Sequence, residues 1–150
     1  MLLTRRTATP ADFNETLLIK KAALGPYIEQ VWGWNDQAQQ QYHQSHFQPE
    51  AIAILLCDGE PAGFLETDET PGQLNIKNLL LLPVFQNRGF GTQVLQQLMQ
   101  QAEAVGQEVY LEVLKVNTQA LRLYQKLGFV VRDTTELKVR MVYSSSYEIR

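Results

Sequence analysis

The chain has 150 residues and a mass of 17.1 kDa, the size of one domain, and its 45% apolar and 19% charged residues can build a core without a disulfide or metal staple. A single cysteine excludes an internal disulfide framework and every multi-cysteine metal pattern. No apolar run reaches the ~18 residues that span a bilayer, and the opening MLLTRRTATP lacks the apolar stretch of a signal peptide, so a reducing, cytoplasmic setting is expected. A net charge of −3 and a pI near 5.4 argue against a general nucleic-acid binder.

Leu2 to Thr7 reads as a first strand. Thr9-Pro10-Ala11-Asp12 follows as a helix start, with Thr9 as N-cap, and the helix is expected to run to about Leu24, where Gly25-Pro26 stops it. A second helix, from about Trp34 to Phe47, carries Trp34, Ala38 and Tyr42 at four-residue spacing. The period then changes. Ala51 to Cys57 and Pro61 to Thr67 are strands around an Asp58-Gly59 hairpin turn. After Thr70-Pro71-Gly72, Leu74 to Leu82 forms a third strand of the meander, closed by Pro83. Gly91 to Ala104 is a helix with Val94, Leu95, Leu98 and Ala102 on one face, and Glu108 to Leu114 alternates as a strand. Asn117 to Leu127 is a helix capped by Gly128, and Phe129 to Arg132 and Leu137 to Tyr143 are the last strands. The Gln-rich runs QAQQQYHQ and QQLMQQ fall within helical periods and read as solvated faces. This order predicts one α/β domain over residues 1–150: a mixed, mostly antiparallel sheet of six to seven strands with helices on both faces.

The stretch richest in chemistry is Leu79 to Thr92, where a strand ends, a glycine-bearing loop follows and a helix begins. Such a loop presents backbone N–H groups at the positive end of a helix, and Gly89 and Gly91 let an anion approach the main chain. Arg88 can add a charge-assisted contact. The residues point to a pyrophosphate site, against a plain turning loop. A dinucleotide-binding turn is the sharper competitor, since Glu112 lies about twenty residues on. Against it, Val94 stands where a third glycine belongs, and the residues from Pro83 to Arg88 separate strand from glycine. Three strands also precede the loop in a chain too short for two mononucleotide halves. The second stretch places Glu112 on a strand, with Asn117 and Tyr124 two helical turns apart behind it.

Gln86-x-x-Gly89-x-Gly91 resembles the acyl-CoA signature of GNAT-type N-acetyltransferases, and Asn117-x-x-Ala120-x-x-Leu123-Tyr124-x-x-Leu127-Gly128-Phe129 is similar to their second hallmark. The spacing and the strand order on either side also agree. The resemblance spans essentially the whole chain, most specifically residues 74–132. It implies acetyl-CoA as acyl donor and a central parallel strand pair that splays apart. Leu79 and Leu81 would offer main-chain groups to the pantetheine arm. Gln86, Asn87, Arg88, Gly89, Gly91 and Thr92 would hold the pyrophosphate, and Asn117 would bond the pantetheine. Tyr124 would act as general acid at the sulfur. The context of Glu112 resembles ribosomal-protein alanine N-acetyltransferases, where the matching glutamate serves as base. Other members carry an acid on the earlier strand, which here reads Leu74-Asn75-Ile76-Lys77-Asn78-Leu79 without one. The alternative for Glu112 is a solvated or ion-paired carboxylate, beside Lys115 or Arg140.

These groups suit amine acylation. An alkyl ammonium with a pKa near ~10 must lose a proton before it attacks, a carboxylate can take it, and the Leu81 N–H can face the developing oxyanion. Tyr27, Glu29, Trp32 and Trp34 concentrate aromatic and acidic groups where the family builds its acceptor wall, against core packing as the plainer reading. His43 and His46 lack a third metal ligand, Cys57 reads as a buried thiol, and Ser144 to Ser146 as a polar tail. The expected protein is therefore a metal-independent N-acetyltransferase, monomeric or homodimeric, acting on a small-molecule or peptide amine without nucleic acid or membrane. The alternative is a non-catalytic acyl-CoA sensor on the same scaffold.

Overall fold

A computed structural model describes residues 2–145. Seven strands form one sheet in the order β1-β2-β3-β4-β5-β7-β6, a mixed and mostly antiparallel sheet as the strand pattern predicts. Contacts divide the chain into two compact units, residues 1–66 with 78–88, and residues 67–77 with 89–150.

In the first unit, β1 (Leu3–Thr7) lies antiparallel to β2 (Ile52–Cys57), with Leu3 opposite Cys57 and Thr7 opposite Ala53. Asp58 and Gly59 turn the chain into β3 (Glu60–Thr70) with φ of 51° and 85°. Positive φ at both central residues matches the twist of the flanking strands, which is why Asp-Gly serves here. The β2–β3 register shifts between Leu55 and Leu56. Gly63 lies just past this irregularity, and a Cβ there would stand 2.0 Å from the Leu80 carbonyl oxygen and 2.9 Å from the Leu81 Cα. A glycine inside a strand pattern signals such a close backbone approach.

A 3-10 turn, Pro10–Asp12, leads into α1 (Phe13–Val31). The Asp12 carboxylate accepts from the Thr9 amide at 2.9 Å and from both terminal nitrogens of Arg6 at 2.8 and 2.9 Å. Contrary to the expectation of a stop at Leu24, α1 continues through Gly25-Pro26 to Val31. An interior proline costs an isolated helix ~3 kcal/mol. Here Ile28, beyond the proline, is buried like Ile19 and Ala23 before it, and a fully buried aliphatic side chain contributes ~1.5–3 kcal/mol. Tertiary burial thus overrides the local stop signal. The second helix, α2 (Asp36–His46), begins with the Asn35 side chain accepting from the Ala38 amide at 2.8 Å. Its buried residue is His43, while Tyr42, in the four-residue spacing with Ala38, is 53% exposed. His43 Nε2 lies 2.9 Å from the hydroxyl of fully buried Thr16, and its ring packs on Phe13 and Phe47. Ala8, Ile19, Ala23, Ile52, Ile54, Phe64 and Leu80 form the core of this unit.

The second unit holds α3 (Phe90–Ala104), β5 (Glu108–Leu114), α4 (Thr118–Leu127), β6 (Val130–Thr134) and β7 (Lys138–Tyr143). Phe90, Val94, Leu95, Leu98, Met99 and Ala102 bury one stripe of α3, and Val109, Leu111 and Val113 bury one face of β5. The Tyr143 hydroxyl donates to the Glu103 carboxylate, tying β7 to α3. β4 (Gln73–Leu81) runs parallel to β5, with Gln73–Ile76 paired against Glu108–Leu111. Lys77 to Leu81 and Glu112 to Leu114 fall outside that ladder. Other strand and helix ends move by a few residues from their predicted positions. Among the described residues, no helix is long and apolar enough to cross a membrane. Of the serine run, Ser146 lies outside the described residues.

Candidate active site

In the first unit, β4 ends at Leu81, and the Leu82 amide donates to the Ala62 carbonyl at 2.8 Å. Pro83–Phe85 makes a 3-10 turn, and the Gln86 side-chain amide then reaches back to the Leu81 carbonyl at 2.9 Å. Gln86 therefore closes the loop on the strand end. Asn87 takes a left-handed conformation, φ 61°, which Asn tolerates better than most residues. The Arg88 guanidinium carbon lies 5.9 Å from the centre of the Phe85 ring.

In the second unit, Gly89 is the N-cap of α3 with φ 82°, and the first intrahelical bond runs from the Gln93 amide to the Gly89 carbonyl at 3.0 Å. The amides of Gly91 and Thr92 precede that bond and have no acceptor inside the helix. They lie where the helix dipole is positive, and left-handed residues before a helix turn successive amides toward a common point. These are the residues that the sequence reading assigns to a pyrophosphate.

The same unit carries the second group of predicted residues. Asn117 is the N-cap of α4, its Oδ1 accepting from the Ala120 amide at 3.2 Å. That bond orients the side-chain amide at the start of the helix. Gly128, φ 108°, closes the helix, with the Phe129 amide donating to the Tyr124 carbonyl at 2.9 Å. A Cβ on Gly128 would also meet the Tyr143 ring at 3.4 Å. The Tyr124 ring is 5.8 Å from that of Phe129. Burial pushes the Tyr124 hydroxyl up to about 12, so it keeps its proton throughout the neutral range. Glu112 is exposed on β5, opposite Arg140 of β7 in register. Arg140 itself bonds Asp133 at 3.2 Å and lies over Tyr110 at 4.8 Å.

The predicted acceptor residues take more structural parts. Glu29 accepts from the Trp34 backbone amide across the α1–α2 connection. Trp34 donates from Nε1 to Asp36 at 2.8 Å, and its ring edge stands 3.8 Å from where a Gly25 Cβ would be. Tyr27 is half-buried, while Trp32 is 57% exposed.

A model of the Acetyltransferase (GNAT) family matches residues 19–129. This chain belongs to that family. Both stretches, Gln86 to Thr92 and Asn117 to Phe129, lie inside the matched span. Among curated relatives, the [ribosomal protein bS18]-alanine N-acetyltransferase of Salmonella typhimurium is 34% identical over 76 residues, 50% of this chain and 51% of that protein. The spermidine N(1)-acetyltransferase of Escherichia coli is 32% identical over 91 residues, 57% of this chain and 48% of that protein. The chain spans about half the length of the curated relatives it matches. The GNAT fold is shared with a PaiA N-acetyltransferase of Thermoplasma acidophilum solved with coenzyme A, at a TM-score of 0.79 and 16% identity, covering 96% of this chain and 99% of that one.

Two residues of this GNAT chain escape the sequence reading. Gly63 admits the Leu80 carbonyl and so sets the path of the β4 end; an isolated glycine in a strand pattern was its signal. Glu66 of β3 accepts from Asn78 Nδ2 of β4 at 2.9 Å, placing a carboxylate beside the strand position that the sequence leaves without an acid. No local pattern announces that pair, because it depends on the register between the two strands.

Proposed function

We propose that the chain transfers an acetyl group from acetyl-CoA to a primary amine, of a small molecule or a peptide N-terminus, by direct attack in a ternary complex. The observation that carries this reading is the sequence of left-handed Asn87 and Gly89 ahead of α3, with the Gly91 and Thr92 amides uncommitted within the helix. It fits a pyrophosphate, and family membership supports acetyl-CoA as its bearer. Acetyl-CoA supplies an activated acetyl thioester.

The chain's own groups do the rest. Gln86 to Thr92 bind the diphosphate, and the Leu79 and Leu81 main chain and the Asn117 NH2 orient the pantetheine. The Leu81 N–H donates to oxygen as negative charge develops there. Glu112 accepts the ammonium proton, directly or through one water. Tyr124 donates a hydrogen bond to the departing sulfur. With its pKa near 12, it stabilises the thiolate by that bond more readily than by releasing its proton. The new bond is N–C and the broken one C–S; the ammonium's first proton leaves through Glu112 to solvent, and the second, shed by the nitrogen as the tetrahedral intermediate collapses, goes to the departing thiolate. Tyr27, Glu29, Trp32 and Trp34 border the acceptor. In this reading residues 1–150 work as one catalytic domain, monomeric or homodimeric and cytoplasmic.

The test is calorimetry of coenzyme A binding to wild type and Gly89→Glu, followed by a mass-shift screen of amines and peptides with acetyl-CoA. The mutant places a carboxylate in the phosphate cradle and should bind no coenzyme A. Wild-type affinity in Gly89→Glu, or NADH binding without coenzyme A binding, would overturn the reading.

A further inference from the structure

In the second unit, three aromatic side chains run in contact from Tyr124 on α4 to a carboxylate on α3. The Tyr124 hydroxyl has to stand in one place to donate to a departing sulfur. Among the described residues it meets no hydrogen-bond partner of its own. Its position is therefore set by whatever holds the ring and the helix turn that carries it.

The Tyr124 ring lies 5.8 Å from the Phe129 ring at an interplanar angle of 59°, and the Phe129 ring lies 5.8 Å from the Tyr143 ring at 45°. Tilted rings at such separations attract each other in preferred orientations. Phe129 is also tied to the helix, its amide donating to the Tyr124 carbonyl at 2.9 Å. Between them, Gly128 brings the Tyr143 ring within 3.4 Å of where a Cβ would stand. The last turn of α4 thus rests on Tyr143, the final residue of β7, and both Phe129 and Tyr143 are buried.

Tyr143 is held in turn at its far end, where its hydroxyl donates to the Glu103 carboxylate in the last turn of α3. A hydrogen bond to an ionised acceptor is roughly twice as strong as a neutral one. Glu103 makes no ion pair within 4.0 Å among the described residues, so no cation competes for that carboxylate. Phenylalanine at position 143 would fill the same core volume. What the hydroxyl adds is direction, fixing the ring between the α3 carboxylate and the α4 cap. The same α3 begins at Gly89, in the loop assigned above to the diphosphate.

We propose that Glu103 and Tyr143 are positioning residues: bonded to each other, they hold Phe129 and the last turn of α4 so that the Tyr124 hydroxyl keeps one place relative to α3. The proposal rests on the acetyltransferase reading and deepens its account of Tyr124.

Single-turnover acetylation, KM and coenzyme A affinity are measured for Tyr143→Phe, Glu103→Met and Glu103→Gln, alone and combined with Tyr124→Phe. A misplacement of about 1 Å can cost ~10²-fold in rate, and with every ring retained a smaller shift and a loss of about 10-fold are expected for Tyr143→Phe and for Glu103→Met. The two together should lose no more than either alone, because they break one bond. Coenzyme A affinity and KM should stay near wild type, the signature of an interaction felt in the transition state. Glu103→Gln keeps an accepting oxygen and should retain most of the rate. In Tyr124→Phe none of the three should slow the reaction further, whereas a general loss of structure would add to it. Circular dichroism checks each fold, and Glu103→Met, on an exposed residue, keeps the test open if Tyr143→Phe folds poorly. Wild-type rates in Tyr143→Phe and Glu103→Met, losses confined to KM, or losses that add to that of Tyr124→Phe would overturn the pair's role and leave the acetyltransferase reading standing. A wild-type rate in Tyr124→Phe itself would remove the group being positioned, and the role with it. Should no amine be acetylated, the acetyltransferase reading fails and the pair is judged on the ring it holds. Protein carrying 3-fluorotyrosine is then followed by fluorine NMR, the Tyr124 line being assigned by its loss in Tyr124→Phe. A line that moves in Glu103→Met and stays in Glu103→Gln supports the pair, and a line unmoved in both refutes it.

Discussion

Gly63→Ala tests how the β4 end is held. The added methyl would lie 2.0 Å from the Leu80 oxygen, 2.9 Å from the Leu81 Cα and 3.0 Å from the Leu80 carbonyl carbon, all main-chain atoms that cannot rotate away. Carbon and oxygen in contact settle at about 3.3–3.6 Å, so β4 must retreat by roughly 1 Å or more. Overpacking of this kind costs about 1–3 kcal/mol, and the rigid neighbours put Gly63→Ala at the upper end. With a urea slope of about 2 kcal/mol/M, the unfolding midpoint should fall by about 1–1.5 M. The same displacement moves Leu79 and Leu81, whose main chain is proposed to orient the pantetheine, and a misplacement of about 1 Å can cost ~10²-fold in rate. Gly59→Ala is the control. Its methyl meets nothing within 4 Å but sits at φ 85°, which costs about 1–2 kcal/mol in backbone strain without touching β4. Urea unfolding by circular dichroism and steady-state acetylation are measured on both. A Gly63→Ala protein with a wild-type midpoint and wild-type kcat/KM would refute the account of the β4 end. So would a Gly59→Ala protein with the same loss of turnover.

Tyr124→Phe should leave coenzyme A affinity nearly intact and lower kcat by about 10²–10³, the range for loss of one hydrogen-bond donor to developing charge; unchanged single-turnover rates would remove Tyr124 from the mechanism. Because burial raises the Tyr124 hydroxyl to about 12, the unfolded chain loses that proton first. Folding stability should therefore fall as pH rises from about 10 to about 12, and less so in Tyr124→Phe. Glu112→Gln should lower kcat/KM at neutral pH and recover toward wild type at high pH, where free amine is abundant; superimposable pH–rate profiles would exclude Glu112 as base. Asp12, hydrogen-bonded chiefly by Arg6, has its pKa lowered to about 2. Its share of stability is present above the ordinary carboxylate pKa and is lost as pH falls from about 4 through about 2. With Arg6 half exposed and partly screened, Asp12→Asn should cost about 1–2 kcal/mol at pH 7, read by urea unfolding. A wild-type midpoint at pH 7 would show the pair to be inert.

The elements legible in the sequence are those governed by neighbours along the chain. Asp58-Gly59 announced its hairpin because two positive φ values are a local demand. The α3 stripe followed from a 3.6-residue period, and Gly128 marked a helix end where a side chain is penalised. The two family stretches lie in such segments, so they could be found without knowing the fold. Where two local signals competed, the chain alone did not decide. Gly25-Pro26 reads as a stop, yet α1 passes through it because Ile28 buries its side chain beyond.

Residues whose partners lie far along the chain were settled by tertiary structure only. His43 is a core residue because Thr16, on another helix, meets its ring nitrogen. Glu29, expected at the acceptor, is engaged by the Trp34 amide. Glu66 acquires Asn78 as partner only after β3 and β4 pair in one register, and Lys20 faces Tyr42 only once α1 and α2 pack. Sequence alone determined the family, the order of elements and the glycine-bearing turn before α3, because each rests on short-range conformational preference or on spacing within one segment. Which carboxylates and ammonium groups remain available to a substrate was decided by strand register and helix packing, because a charge is occupied or left open by whatever group the fold brings within hydrogen-bond distance.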